Sequence, residues 1–95
     1  MKNEISIQEC RFFDVLFKAD GKWLTSKEIA EKANISGRTA RMLNLRYAKL
    51  GISELVNVFP AHRYRLLKSS PKGIDYLRKV KNACEIFGIN FEGDL

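Results

Sequence analysis

Four cations, Arg38, Arg41, Arg46 and Lys49, fall within a stretch from Gly37 to Leu50 that holds no acid. An arginine guanidinium is a planar fork that matches O6 and N7 of guanine, whereas a lysine ammonium acts as a point charge. Arg38 and Arg41, in the first half of the stretch, are placed to read bases, with Met42 beside them for a thymine methyl. Arg46 and Lys49, farther along, suit phosphates. Ser26, Ser36 and Thr39 can donate hydroxyl protons to phosphate, with Lys27 adding a charge. The same hydroxyls can act as helix caps alone, and the two roles are compatible. A basic face can also be mere solvated surface, but four cations with no nearby acid would then repel one another for no gain.

Other chemistry has little to work with. The chain has one histidine, His62, and two cysteines, Cys10 and Cys84. Neither a nucleophile–base pairing nor a Gly-rich phosphate loop is present, so an enzyme is not expected. The cysteines fit neither a zinc spacing nor a dense disulfide framework. They read as two small apolar residues on helices. No cofactor and no metal are expected, and the reading fits a reduced cytoplasm.

The elements that must position these groups follow from periodicity and punctuation. From about Ile5 to Ala19 the pattern is helical. Ile5, Cys10, Phe12, Phe13, Leu16 and Phe17 form one apolar arc, with Ile7 and Val15 outside it. Asp20-Gly21 breaks this helix over residues 5–20, and Lys22-Trp23-Leu24 is a short extended piece able to pair with a later hairpin. Thr25-Ser26-Lys27-Glu28 has the form of a capping box. Ile29, Ala30 and Ala33 give the second helix its inner face. Asn34 and Ile35 make a turn, and Ser36 caps the third helix. That helix points Ala40, Leu43, Tyr47 and Leu50 inward and stops at Gly51.

Two strand-like runs follow, Glu54–Phe59 and Arg63–Leu67, with Pro60-Ala61-His62 at the tip between them. His62, Arg63 and Arg65 on this hairpin, which spans residues 54–67, are placed to touch a minor groove or the adjacent backbone. Ser70 caps the last helix, over residues 70–88, and Pro71 opens it. Its apolar stripe is Tyr76, Leu77, Val80, Ala83, Cys84 and Phe87, and Gly88 ends it. Phe91 in the tail is expected to pack back.

Charge is segregated along the chain. The net charge is +6, yet residues 21–68 hold ten basic and three acidic side chains, while residues 1–20 and 69–95 are close to balanced. That concentration points to a polyanionic partner. The apolar content of 45% is ordinary for a folded chain. No apolar run approaches the roughly 18–20 residues of a membrane span, and the opening MKNEISIQEC has no leader-like apolar core.

The order helix, helix, helix, hairpin, helix resembles the winged helix-turn-helix superfamily over roughly residues 5–88. The resemblance is carried by Leu24-Thr25-Ser26-Lys27-Glu28-Ile29-Ala30, by Ile35-Ser36 with Thr39-Ala40, and by Leu50-Gly51-Ile52. Tyr64-Arg65-Leu66 and Pro71-Lys72-Gly73-Ile74-Asp75-Tyr76-Leu77 look like the wing exit and following helix of small MarR- and PadR-like regulators. The resemblance implies a mostly α fold with a small β-hairpin: a three-helix core, a helix-turn-helix at 25–51, a two-stranded wing and an extra C-terminal helix in one domain. Asn44 and Tyr47 depart from it, standing where such proteins place buried leucines. Either the third helix is rotated slightly, or Asn44 hydrogen-bonds a buried backbone group.

In such regulators the helix after the wing commonly builds a homodimer. Phe12 and Leu16 of the first helix, with Tyr76, Leu77, Val80, Ala83, Cys84 and Phe87 of the last, are the expected dimer face. Packing within the monomer is the alternative use of that stripe. The function expected is sequence-specific binding of double-stranded DNA by a dimeric transcriptional regulator in the cytoplasm, with no membrane or metal partner. A protein-interaction module, favoured by Met42 and Leu45, and an RNA or replication-origin binder are the rivals.

Overall fold

The computed structural model describes residues 5–19, 21–56, 58, 62–66 and 71–89. Its elements are α1 (Ile7–Lys18), β1 (Leu24–Thr25), α2 (Ser26–Ala33), α3 (Gly37–Lys49), β2 (Ser53–Val56), β3 (Arg63–Leu66) and α4 (Pro71–Glu85). Among the described residues these are four helices and one small antiparallel sheet in the order β1-β3-β2. The extended piece before α2 is therefore a third strand. Leu24 pairs with Tyr64 and Thr25 with Arg63, while Glu54 lies opposite Arg65.

Three of the helices start on a hydroxyl. Ser6, Thr25 and Ser36 each accept the amide proton three residues on, which satisfies a donor that a helix start leaves free. The capping box is complete: Glu28 donates its amide to Thr25 Oγ1 at 3.1 Å, and the Thr25 amide reaches Glu28 Oε1 at 2.8 Å. The bond from the Thr25 amide is the largest of the causes that hold the Glu28 carboxyl below its ordinary range. Asn34 closes α2 in a left-handed conformation (φ 57°), which asparagine tolerates better than most residues. Gly51 (φ 80°) turns the chain sharply from α3 into β2.

The core joins α1, α2, α3 and α4. Phe12, Phe13, Leu16, Ile29, Ala40, Leu43, Tyr47, Ile52, Leu77 and Val80 are all buried, and Tyr64 is buried from the sheet. Phe13 and Tyr47 pack with tilted rings and centroids 4.7 Å apart, and Phe12 meets Phe13 edge-on at 5.3 Å. Outside the expected α1 arc, Val15 packs partly against this core, while Ile7 is exposed.

Three expectations are corrected here. Leu50, read as inward, is 42% exposed, because it is the C-cap of α3, where the chain turns away from the helix. Cys10 and Cys84, read as unpaired, are joined as a disulfide, with Cα atoms 5.5 Å apart across a sequence separation of 74. Each lies on the core face of its own helix and α1 packs on α4, so the two meet. The dimer face is also largely absent from the surface. Phe12, Leu16, Leu77, Val80 and Cys84 are fully buried within one chain, and Tyr76 and Ala83 are half-buried. Gly73, Leu77, Val80 and Cys84 recur at helical spacing and form the inward stripe of α4. Of the eight, Phe87 alone is exposed, beyond the end of the helix.

The hairpin tip at Pro60 and Ala61, the strand ends at Asn57, Phe59 and Leu67, the break at Asp20, the Ser70 cap and the tail with Phe91 lie outside the described residues.

Candidate nucleic-acid interface

Periodicity places the chemistry of α3. With Ala40, Leu43, Asn44 and Tyr47 facing the core, Arg38, Arg41, Met42, Leu45, Arg46 and Lys49 face solvent. All six are exposed, as expected from the sequence. The ion pairs of the described residues are Lys18 with Asp14 and Arg65 with Glu54, so none of the four cations on α3 is spent on a carboxylate.

These side chains do not all look the same way. Arg41 and Leu45 border a groove between α3 and the hairpin, lined also by Thr25, Ser26, Lys27, His62 and Tyr64. Arg41, Ser26 and Lys27 also border the adjoining groove between α2 and α3, with Glu31, Asn34 and Gly37. These three side chains thus stand on the rim that the two grooves share. Arg46 turns toward α1 and α4, into a cleft with Glu9, Tyr47, Leu50, Tyr76 and Lys79. It is accordingly separated from Arg41, an arrangement that charge counting along the sequence does not reveal. Leu45, odd on a basic face, is the apolar wall of the hairpin groove.

The hydroxyls differ in what they can give. Ser36 Oγ accepts from the Thr39 amide at 3.0 Å and contacts Thr39 Oγ1 at 2.8 Å. With Ser36 as donor its proton is used within the cap, and Thr39 keeps one to offer. Ser26 Oγ accepts from Asn44 Nδ2 at 2.9 Å. Asn44 therefore reaches a side chain, and not the buried backbone group expected as one alternative.

On the hairpin, Arg63 and His62 are exposed. Arg65 is not available in the same way. Its Nε donates to Glu54 Oε1 at 2.9 Å, and its guanidinium lies 4.3 Å from the centre of the Trp23 ring. The cross-strand register puts Glu54 opposite Arg65, so this arginine braces the sheet. The register could not be read before the hairpin pairing was known.

No known protein family matches this chain, and no curated protein matches its sequence. The site accordingly rests on its own geometry. Two polar clusters escaped the sequence reading, although each carried a signal. One is the Asn44–Ser26 bond, announced by a polar residue on a core-facing position. The other lies in the Arg46 cleft, where the Tyr47 hydroxyl donates to Glu9 Oε2 at 2.5 Å and lies 3.1 Å from the Tyr76 hydroxyl. Tyr47 gives its single proton to Glu9, so Tyr76 is the donor to Tyr47. Among the described residues no group of three acidic, histidine or cysteine side chains could hold a metal, and no helix is long and apolar enough to cross a membrane.

Proposed function

We propose that this chain is a winged helix-turn-helix protein that binds double-stranded DNA as a dimeric transcriptional regulator. α3 enters the major groove and the β2–β3 hairpin serves as the wing. The observation that carries this reading is the solvent face of α3, with four exposed cations, no acid and no ion pair among the described residues, beside the groove that leads to the hairpin. Arg38 and Arg41 read base edges and Met42 meets a thymine methyl. Ser26, Lys27, Thr39 and Lys49 hold the backbone, and His62 and Arg63 reach it from the wing. Ser36 acts as a cap, Arg65 as a brace, and Arg46 reaches phosphate only from the α4 side. A homodimer uses what α4 leaves accessible, with Tyr76, Ala83 and Phe87 joined by Ile86, which is 83% exposed. Such a dimer would meet a palindromic site in cytoplasmic DNA.

The competing reading, a protein-interaction module, draws on Met42 and Leu45, both about half exposed on the same face. Salt separates the two. With five or so phosphate contacts, affinity for duplex DNA should fall on the order of 10²- to 10³-fold between about 50 and 200 mM salt. Fluorescence anisotropy of a labelled duplex measures this directly. A flat response to salt, or no binding, favours the protein partner.

A further inference from the structure

Asn44 is the polar residue hardest to explain by folding alone. It is fully buried on α3, it makes one hydrogen bond, to Ser26, and its Oδ1 has no partner. A leucine, with the same branching and the same number of side-chain heavy atoms, would leave no buried carbonyl unsatisfied, which is a cost to stability. In the observed orientation Nδ2 donates to Ser26 Oγ; turned over, Oδ1 would instead accept the Ser26 proton.

That orientation dictates where the Ser26 proton goes. A serine hydroxyl has one hydrogen and two lone pairs, and it ordinarily rotates to suit its surroundings. Here Asn44 occupies a lone pair from the core side, so the hydrogen points away from Asn44. Ser26 stands on the rim shared by the two grooves, with Lys27 and Arg41. Glu31 lines the α2–α3 groove and not the hairpin groove.

We infer that Asn44 is a positioning residue for DNA binding: it turns the Ser26 hydroxyl proton away from the core, as a donor to one backbone phosphate that Lys27 neutralises. The inference rests on the DNA reading above and assigns a reason to the polar residue on the core face of α3. Asn44 touches no DNA. It acts by excluding the inward rotor position of Ser26, so the donor is turned from the core before the phosphate arrives.

A double-mutant cycle in duplex affinity tests this, with wild type, Ser26→Ala, Asn44→Leu and the double variant at one low salt concentration. Each single change should weaken binding by roughly tenfold, the loss of one charge-assisted hydrogen bond. The double variant should bind no more weakly than either single. The melting temperature of Asn44→Leu should match or exceed that of wild type, which a purely structural asparagine would not allow. Independent losses that multiply in the double variant overturn the inference, as does Asn44→Leu binding like wild type. Asn44→Met replaces the leucine variant if that protein does not stay folded. If wild type does not bind duplex at all, the DNA reading falls and this inference with it; wild-type binding unaffected at Asn44 removes the inference alone.

Discussion

Tyr47 shows how one side chain serves two neighbourhoods. Its ring packs against Phe13 in the core, while its hydroxyl lies between Glu9 and Tyr76 at the edge of the Arg46 cleft. Burial, then the bonds to Glu9 and Tyr76, push its ionisation far above the ordinary tyrosine range. In the unfolded chain a tyrosine ionises near pH 10, so above that value the unfolded state sheds a proton that the folded state keeps. Stability from Tyr47 is thus fully present below about pH 10 and is lost as the pH rises further. Tyr47→Phe should cost roughly 1.5–3 kcal/mol at pH 8, the value of a hydrogen bond to a charged group. The gap from wild type should narrow by about 0.8 kcal/mol at pH 10.5. Denaturant melts at the two pH values measure it, and a gap that stays constant contradicts the assignment. The exposed face of α3 was legible in the sequence because it depends only on helical period. The partners of Asn44, Tyr47 and Arg65 were not, because each bond spans 11 to 38 residues and depends on how elements pack.

At the scale of elements, the capped helix starts and the stops at Asn34 and Gly51 were readable, since local hydrogen bonds and backbone angles decide them. The packing of α4 was not. Its stripe has the spacing of a helix–helix contact, and spacing alone does not distinguish another chain from α1 of the same chain. The Cys10–Cys84 bond joins α1 to α4 and closes most of the chain into one loop. In the chain-entropy account such a loop adds on the order of 4 kcal/mol to stability. Protein denatured without reductant should therefore show no free thiol. Reduction should lower the unfolding midpoint. Two reactive thiols in the unreduced, denatured protein would contradict the bond. It would also return the cysteines to the unpaired state expected from the sequence.

At the scale of the molecule, charge and shape point the same way. Residues 21–68 carry the excess of positive charge, and they supply α2, α3 and the hairpin, the walls of the two adjoining grooves. α1 is neutral, and α1 and α4 are committed to the core and the disulfide. A field so concentrated steers a polyanion to one face. The sequence foretold that asymmetry, but not that Arg46 and Arg41 would look into different clefts. The measurement that tests the central claim most directly compares wild type with Arg38→Ala/Arg41→Ala in anisotropy titrations of duplex DNA at two salt concentrations. Loss of the two base-reading arginines on α3 should weaken binding by about tenfold or more at both salt concentrations. Equal binding by both proteins, or none by either, would contradict a DNA-facing α3.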